Sequence, residues 1–163
     1  ATDVAVAAVG QHKRYRRIGV ALEAKPTDAT MLAEALAMAQ SHRAELVLMH
    51  VVEGVGGQWY GRQTGDEESR EDEKYLENLA EQLRRDLADD GVSVRASLGF
   101  GAMPSALIKL ARREEIDLMI VGGHGHRAVA DIIRGETIDH VRHALKIPVM
   151  AIRNESQNTG GHC

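Results

Sequence analysis

Cysteine is nearly missing from this chain. Cys163, the last residue, is the only one, so no internal disulfide and no cysteine-based metal cluster can form. That usage suits a reducing cytoplasm. Aromatic residues are scarce too: Tyr15, Trp59, Tyr60, Tyr75 and Phe100 make up 3% of 163 residues. They are too few for an interleaved base-stacking platform, and the core falls to Val, Ile, Leu, Ala and Met. Positive charge is not in excess. Twenty Lys and Arg face 24 Asp and Glu, a net charge of -4, which argues against a broadly basic nucleic-acid-binding surface. Uninterrupted apolar runs such as Val4 to Val9 fall far short of the ~20 residues that span a bilayer. Nothing near Ala1 reads as a signal peptide with a cleavage site.

What is present suits one soluble domain. A length of 163 residues matches a single folding unit, and 44% hydrophobic with 27% charged residues is an ordinary globular balance. We expect a flexible lead-in over 1–15, a domain over 16–153 and a disordered tail over 154–163. Residues 12–17, His-Lys-Arg-Tyr-Arg-Arg, are basic. Two readings stay open for them: a solvated lead-in, or a juxtamembrane segment on the cytoplasmic side of a preceding membrane helix.

From Ile18 onward short apolar runs alternate with helical patterns. Ile18–Leu22 reads as a strand. Thr27 and Asp28 offer capping oxygens to a helix over 28–43, where Leu32, Ala35, Leu36 and Ala39 recur at helical spacing. Leu46–Val52 is almost wholly apolar, as a strand covered on both faces should be. A glycine-rich loop and an acidic run from Asp66 to Glu73 follow, the latter read as the solvated start of a helix. Tyr75, Leu76, Leu79, Leu83 and Leu87 supply that helix with an apolar stripe. Gly91 ends it, and Val92–Leu98 alternates as a third strand. Pro104 opens a helix, Asp117–Val121 is a fourth strand, and a helix with Ile138, Val141 and Leu145 precedes a last strand over 147–152. Methionines 31, 38, 49 and 119 fall at core-like positions. Five strands alternating with four helices predict an α/β fold, a three-layer Rossmann-like open parallel five-stranded sheet of order 3-2-1-4-5. Such sheets bind ligands beyond the carboxyl ends of the strands, where the winding reverses.

The fourth strand runs into Gly122-Gly123-His124-Gly125-His126-Arg127. Glycines at a strand-to-helix junction let backbone N–H groups approach phosphate oxygens, and a helix start adds partial positive charge. The spacing Gly122-x-x-Gly125, nine residues, then Gly135 resembles the nucleotide-binding signature of universal stress proteins. The resemblance runs through residues 16–153, including His50-Val51-Val52-Glu53, Asp117 to Gly122, Arg142-His143-Ala144 and Ile147-Pro148-Val149. It implies a homodimer paired through the last strand and, in one subclass, bound ATP or AMP. His126 and Arg127 offer further donors from the loop; by the same resemblance Gly122, His124, Gly125 and His126 would line phosphate and ribose. Gly135 and the next residue, Glu136, would meet the phosphate chain, with the hydroxyl of Thr137 one step later, and Val51 would offer backbone groups to adenine. Glu23 stands where the family usually has aspartate, and Lys25 where a small hydroxyl residue is common. Glu136 replaces the usual serine or threonine, and a carboxylate there repels polyphosphate unless Mg or Mn accompanies the nucleotide, its rotamer turns away, or Lys25 compensates.

The stretch from Gly122 to His143 also resembles stress-protein domains fused behind membrane transporters, notably Nramp-type divalent-metal transporters and amino-acid permeases. That resemblance implies a regulatory domain at the cytoplasmic face of a membrane, alongside a free-standing cytoplasmic protein as the other reading. His124, His126, His140 and His143 invite a metal hypothesis, but the resemblance places His124 in the nucleotide loop, and we expect no protein-only metal site and no catalytic residue. A ligand-free dimerisation scaffold and a slow hydrolase using Glu136 or His124 are the alternatives to a non-catalytic nucleotide-binding module.

Overall fold

The computed structural model describes residues 14–53, 62–122 and 136–152. Strand β1 is Arg17–Ala21, followed by a 3-10 turn Pro26–Asp28 and helix α1, Ala29–His42. Then come β2 (Glu45–Val52), α2 (Arg62–Asp86), β3 (Val94–Phe100) and α3 (Ser105–Arg113). The chain continues through β4 (Leu118–Gly122), α4 (Glu136–Leu145) and β5 (Val149–Ile152). All adjacent strands are parallel and the order is β3-β2-β1-β4-β5, as the alternation of patterns predicts.

Period-two alternation explains the layers. Ile18 and Val20 of β1, Leu46 and Leu48 of β2, and Leu118 and Ile120 of β4 face one side. There they meet Met31 and Ala35 of α1 and Leu76, Ala80 and Leu83 of α2. Val47, Met49, Met119 and Val121 face the other side, against Leu107, Leu110 and Ala111 of α3 and Leu145 of α4. Each fully buried Leu, Ile or Met contributes about 1.5–3 kcal/mol. Methionines 31, 49 and 119 are buried and Met38 packs against the core, as expected. Gly19 marks the tightest point: a Cβ there would sit 2.7 Å from the Met49 sulfur and 3.1 Å from Ile116.

Several boundaries differ from the sequence expectation for local reasons. Strand β3 starts at Val94, two residues later than expected, after Gly91 takes the left-handed region at φ +68°. Tyr75, expected in the stripe of α2, is 37% exposed, and Leu76 takes the buried place. Strand β5 begins only after Pro148, whose carbonyl accepts from the Met119 N–H at 3.0 Å. Asp28 does not cap α1; its carboxylate turns back to the loop after β1.

Winding sets the ends of the sheet apart. From β1 the chain moves outward through β2 to β3, then returns across β1 to β4 and β5. Adjacent loops after β1 and β4 therefore leave in opposite directions, opening a crevice at the carboxyl ends.

Candidate functional site at the carboxyl ends of the central strands

A cavity of about 300 Å³ opens at this end. Its floor is apolar, from Ala21, Leu22, Met49, Val51, Met103 and Leu107, and its polar groups are Glu23, Lys25, His50, Glu53 and Asp72. A mostly apolar concavity with a few converging polar groups is the usual anatomy of a small-molecule site.

Strand lengths create the opening. The last register pair between β1 and β2 is Ala21 with Met49, and the Leu22 N–H still donates to the Met49 carbonyl at 2.8 Å. On the far side, the Gly101 N–H donates to the Val52 carbonyl at 3.2 Å. Residues of a parallel strand alternate the side to which their N–H and C=O point. The Val51 groups therefore face the β1 side, beyond the point where β1 ends. A flat heterocycle with one donor and one acceptor on an edge is a chemical match for such a backbone pair.

The loop after β1 is held from below. Asp28 is 4% exposed, and its carboxylate accepts from the Glu23 N–H at 3.1 Å and the Lys25 N–H at 3.0 Å. Between them Ala24 adopts φ +58°, a left-handed conformation that costs a non-glycine residue about 1 kcal/mol. Two hydrogen bonds from one buried carboxylate on either side of that residue fix the turn. Opposite, Glu53 Oε1 accepts from the Met103 N–H at 3.2 Å, tying the end of β2 to the approach to α3. His50 closes the third side. Its Nδ1 lies 2.8 Å from the Leu22 carbonyl and its Nε2 3.1 Å from Asp72 Oδ2 on α2.

Of the residues expected to bind a nucleotide, Glu23, Lys25 and Val51 line this one cavity. Gly122 is the last residue of β4, beside the Ala21–Val121 register pair, and is buried. A Cβ on it would meet the Met31 sulfur at 3.3 Å. Glu136 and Thr137 are the first two residues of α4. His124, Gly125, His126, Arg127 and Gly135 lie outside the described residues. Asp28, His50, Glu53 and Asp72 were not singled out as site residues from sequence. A polar residue closing an otherwise apolar strand was the available signal for His50. Asp72 was hidden in an acidic run that reads as solvated surface. Among the described residues no group of three His, Cys, Asp or Glu side chains is placed to hold a metal ion. None of the helices among them is long and apolar enough to cross a membrane.

A second hollow, of about 380 Å³, lies at the opposite end of the sheet. Arg16, Arg17, Glu45, Glu115 and Asp117 line it, with no apolar floor. Arg17 pairs with both Glu45 and Glu115. Asp117 accepts from the N–H groups of Arg16 and Arg17 at 2.9 and 3.0 Å. One residue outward, Glu114 accepts from Ser97 at 2.6 Å, from Arg113 at 3.0 Å and from Arg95. Burial alone would raise the Glu114 carboxyl, but these donors outweigh it and hold it down to about 2 from an ordinary 4.5.

The doubly wound parallel sheet defines a Rossmann-like α/β domain with an open cavity at its carboxyl edge. The sequence profile of the Universal stress protein family matches residues 14–153, and the chain belongs to that family. Universal stress protein A homolog 2 of Coxiella burnetii is 30% identical over 146 residues, covering 85% of this chain and 95% of that protein. Among solved structures, universal stress protein UspA from Lactobacillus plantarum superposes with a TM-score of 0.68 at 20% identity, covering 87% of this chain and all of that one. A universal stress family protein from Arabidopsis thaliana with AMP bound gives a TM-score of 0.52 at 17% identity, covering 88% and 95%.

Proposed function

We propose that this chain is a non-catalytic adenine-nucleotide-binding module of the stress response, taking AMP or ATP at the carboxyl ends of β1, β2 and β4. One observation carries the reading: the Val51 backbone pair faces a cavity of about 300 Å³ past the end of β1, beside a turn pinned by Asp28. Adenine would lie against Val51 over Met49 and Leu107, with Glu23 toward the ribose hydroxyls and Lys25 toward a phosphate. Gly122, His124, Gly125, His126, Arg127, Gly135, Glu136 and Thr137 would receive the phosphates, with Mg or Mn accompanying a triphosphate. The AMP carried by the Arabidopsis protein of the same fold supports this choice of ligand class. The test is calorimetric titration of AMP and ATP into the full chain, with Val51→Pro as the variant that removes the adenine-facing N–H. Binding that is lost in the variant supports the reading; equal binding, or none in the parent chain, overturns it.

The edge strand favours a second element, a homodimer paired through residues 147–152. Met150 is 36% exposed and Ala151 is exposed on an unpaired sheet edge, which is unusual for apolar residues of a strand. Sedimentation of the parent chain against Met150→Lys tests it: a dimer turning to monomer is expected, and a monomeric parent chain refutes it. A cytoplasmic location, and a place behind a membrane transporter with the domain regulating transport, complete the proposal. Reading the coding region upstream of Ala1 tests the transporter element, with hydrophobic spans expected there.

A further inference from the structure

Both ring nitrogens of His50 face oxygen atoms, a backbone carbonyl and a carboxylate. A carbonyl oxygen only accepts, so the Nδ1 facing Leu22 at 2.8 Å carries a hydrogen. A neutral imidazole then presents a bare lone pair at Nε2, which faces Asp72 Oδ2 at 3.1 Å. Two lone-pair-bearing atoms do not bond. Both contacts are hydrogen bonds only in a state that holds one proton more than a neutral ring beside a free carboxylate. His50 is 12% exposed and Asp72 26%, so water replaces that contact only in part. The bridge joins three elements at the cavity wall: the end of β1, the end of β2 and the helix α2.

We propose that His50 is a positioning residue that makes ligand binding at this mouth depend on proton concentration, through its bridge to Asp72. The inference rests on the reading that the mouth takes an adenine nucleotide. With the extra proton, the ring ties α2 to the strand ends and partly offsets the carboxylates around it. Without it the tie opens, and Asp72 adds an uncompensated negative charge beside an anionic ligand. Among the described residues, the other charged groups on this mouth are Glu23 and Lys25 from the loop after β1 and Glu53 from the end of β2. Asp28 lies beneath them, and its charge reaches Tyr75 on α2, whose hydroxyl is raised mainly by burial. Among the described lining residues, Glu23, Lys25, Glu53, His50 and Asp72 sum to about -1 with the bridge protonated and about -2 without it. An anion is therefore bound more weakly as pH rises.

The test compares AMP binding to the full chain and to Asp72→Asn at pH 6 and pH 8. An asparagine amide donates to a neutral Nε2, so the variant keeps the bridge without the extra proton. We expect the parent chain to lose about tenfold in affinity between the two values, the scale of one charge-assisted hydrogen bond. The variant should change by less than twofold. Equal slopes in the two proteins overturn the proposal. If AMP does not bind at either pH, the nucleotide reading fails, and the imidazole ¹H–¹⁵N spectrum of the ligand-free parent chain still decides the bridge. Hydrogens on both His50 nitrogens at pH 6, reduced to Nδ1 alone in Asp72→Asn, support it. A singly protonated ring in the parent chain at pH 6 refutes it.

Discussion

At the amino ends of the strands, Arg17 lies between Glu45 and Glu115, and Arg95 lies between Glu45 and Glu114. At the carboxyl ends, Glu23, Lys25, Glu53 and Asp72 stand around an apolar floor, and Asp28 spends its carboxylate on backbone N–H groups. The two ends hold comparable numbers of charged groups in hollows of similar size. They differ in their floors and in the partners their charged groups take: arginines at the amino end, a histidine and backbone N–H groups at the carboxyl end. Opposite charges alternating across neighbouring strands satisfy one another and staple β1, β2, β3 and the turn before β4. The mouth at the carboxyl ends combines an apolar floor, one lysine and a pinned backbone. Size alone does not separate the two hollows, whereas the apolar floor at the carboxyl ends does.

That contrast predicts where mutations act. The largest effect on stability is expected from Glu114→Ala, which takes one of two carboxylates from Arg95 and the acceptor from the buried Ser97 hydroxyl. It should cost about 3 kcal/mol in urea unfolding, with AMP affinity unchanged. Acid unfolding sharpens the same point. Because the folded Glu114 carboxyl is depressed to about 2 from an ordinary 4.5, its contribution is complete above pH ~4.5. It is lost as pH falls from there toward 2, on the order of 3 kcal/mol in total. Stability followed from pH 5 to pH 2 should show this loss in the parent chain and not in Glu114→Gln.

Gly19→Ala probes the core between the two ends. The added methyl overlaps the Met49 sulfur at 2.7 Å, and a loss of about 1–3 kcal/mol is expected in thermal unfolding. Asp28→Ala leaves the Glu23 and Lys25 N–H groups without their acceptor. A stability loss of about 1–2 kcal/mol with about tenfold weaker AMP binding is expected, the reverse of the Glu114 pattern. Gly122→Ala should be the mildest, about 0.5–1 kcal/mol, because the Met31 sulfur at 3.3 Å needs to yield by only a few tenths of an ångström.

Most of the fold was legible because apolar periodicity is a property of single segments. Leu46–Val52 had to be covered on both faces, and strand–helix alternation restricts topology to a few parallel orders. The boundaries that moved did so where tertiary hydrogen bonds decide. Asp28 reads as a helix cap, and only the folded loop shows it serving Glu23 and Lys25. The candidate site was half legible. Glu23, Lys25 and Val51 were found through family resemblance, which aligns them along the chain. The His50–Asp72 bridge joins residues 22 apart in two different elements, and no local pattern encodes that distance.

Backbone amide shifts followed during an AMP titration test the contrast between the two ends directly. We expect the signals of Leu22 to Lys25, Val51 to Glu53 and Gly122 to move in a saturable way, while those of Arg17, Glu45, Arg95 and Asp117 stay in place. Movement confined to the amino end, or no movement at either end, would contradict the account.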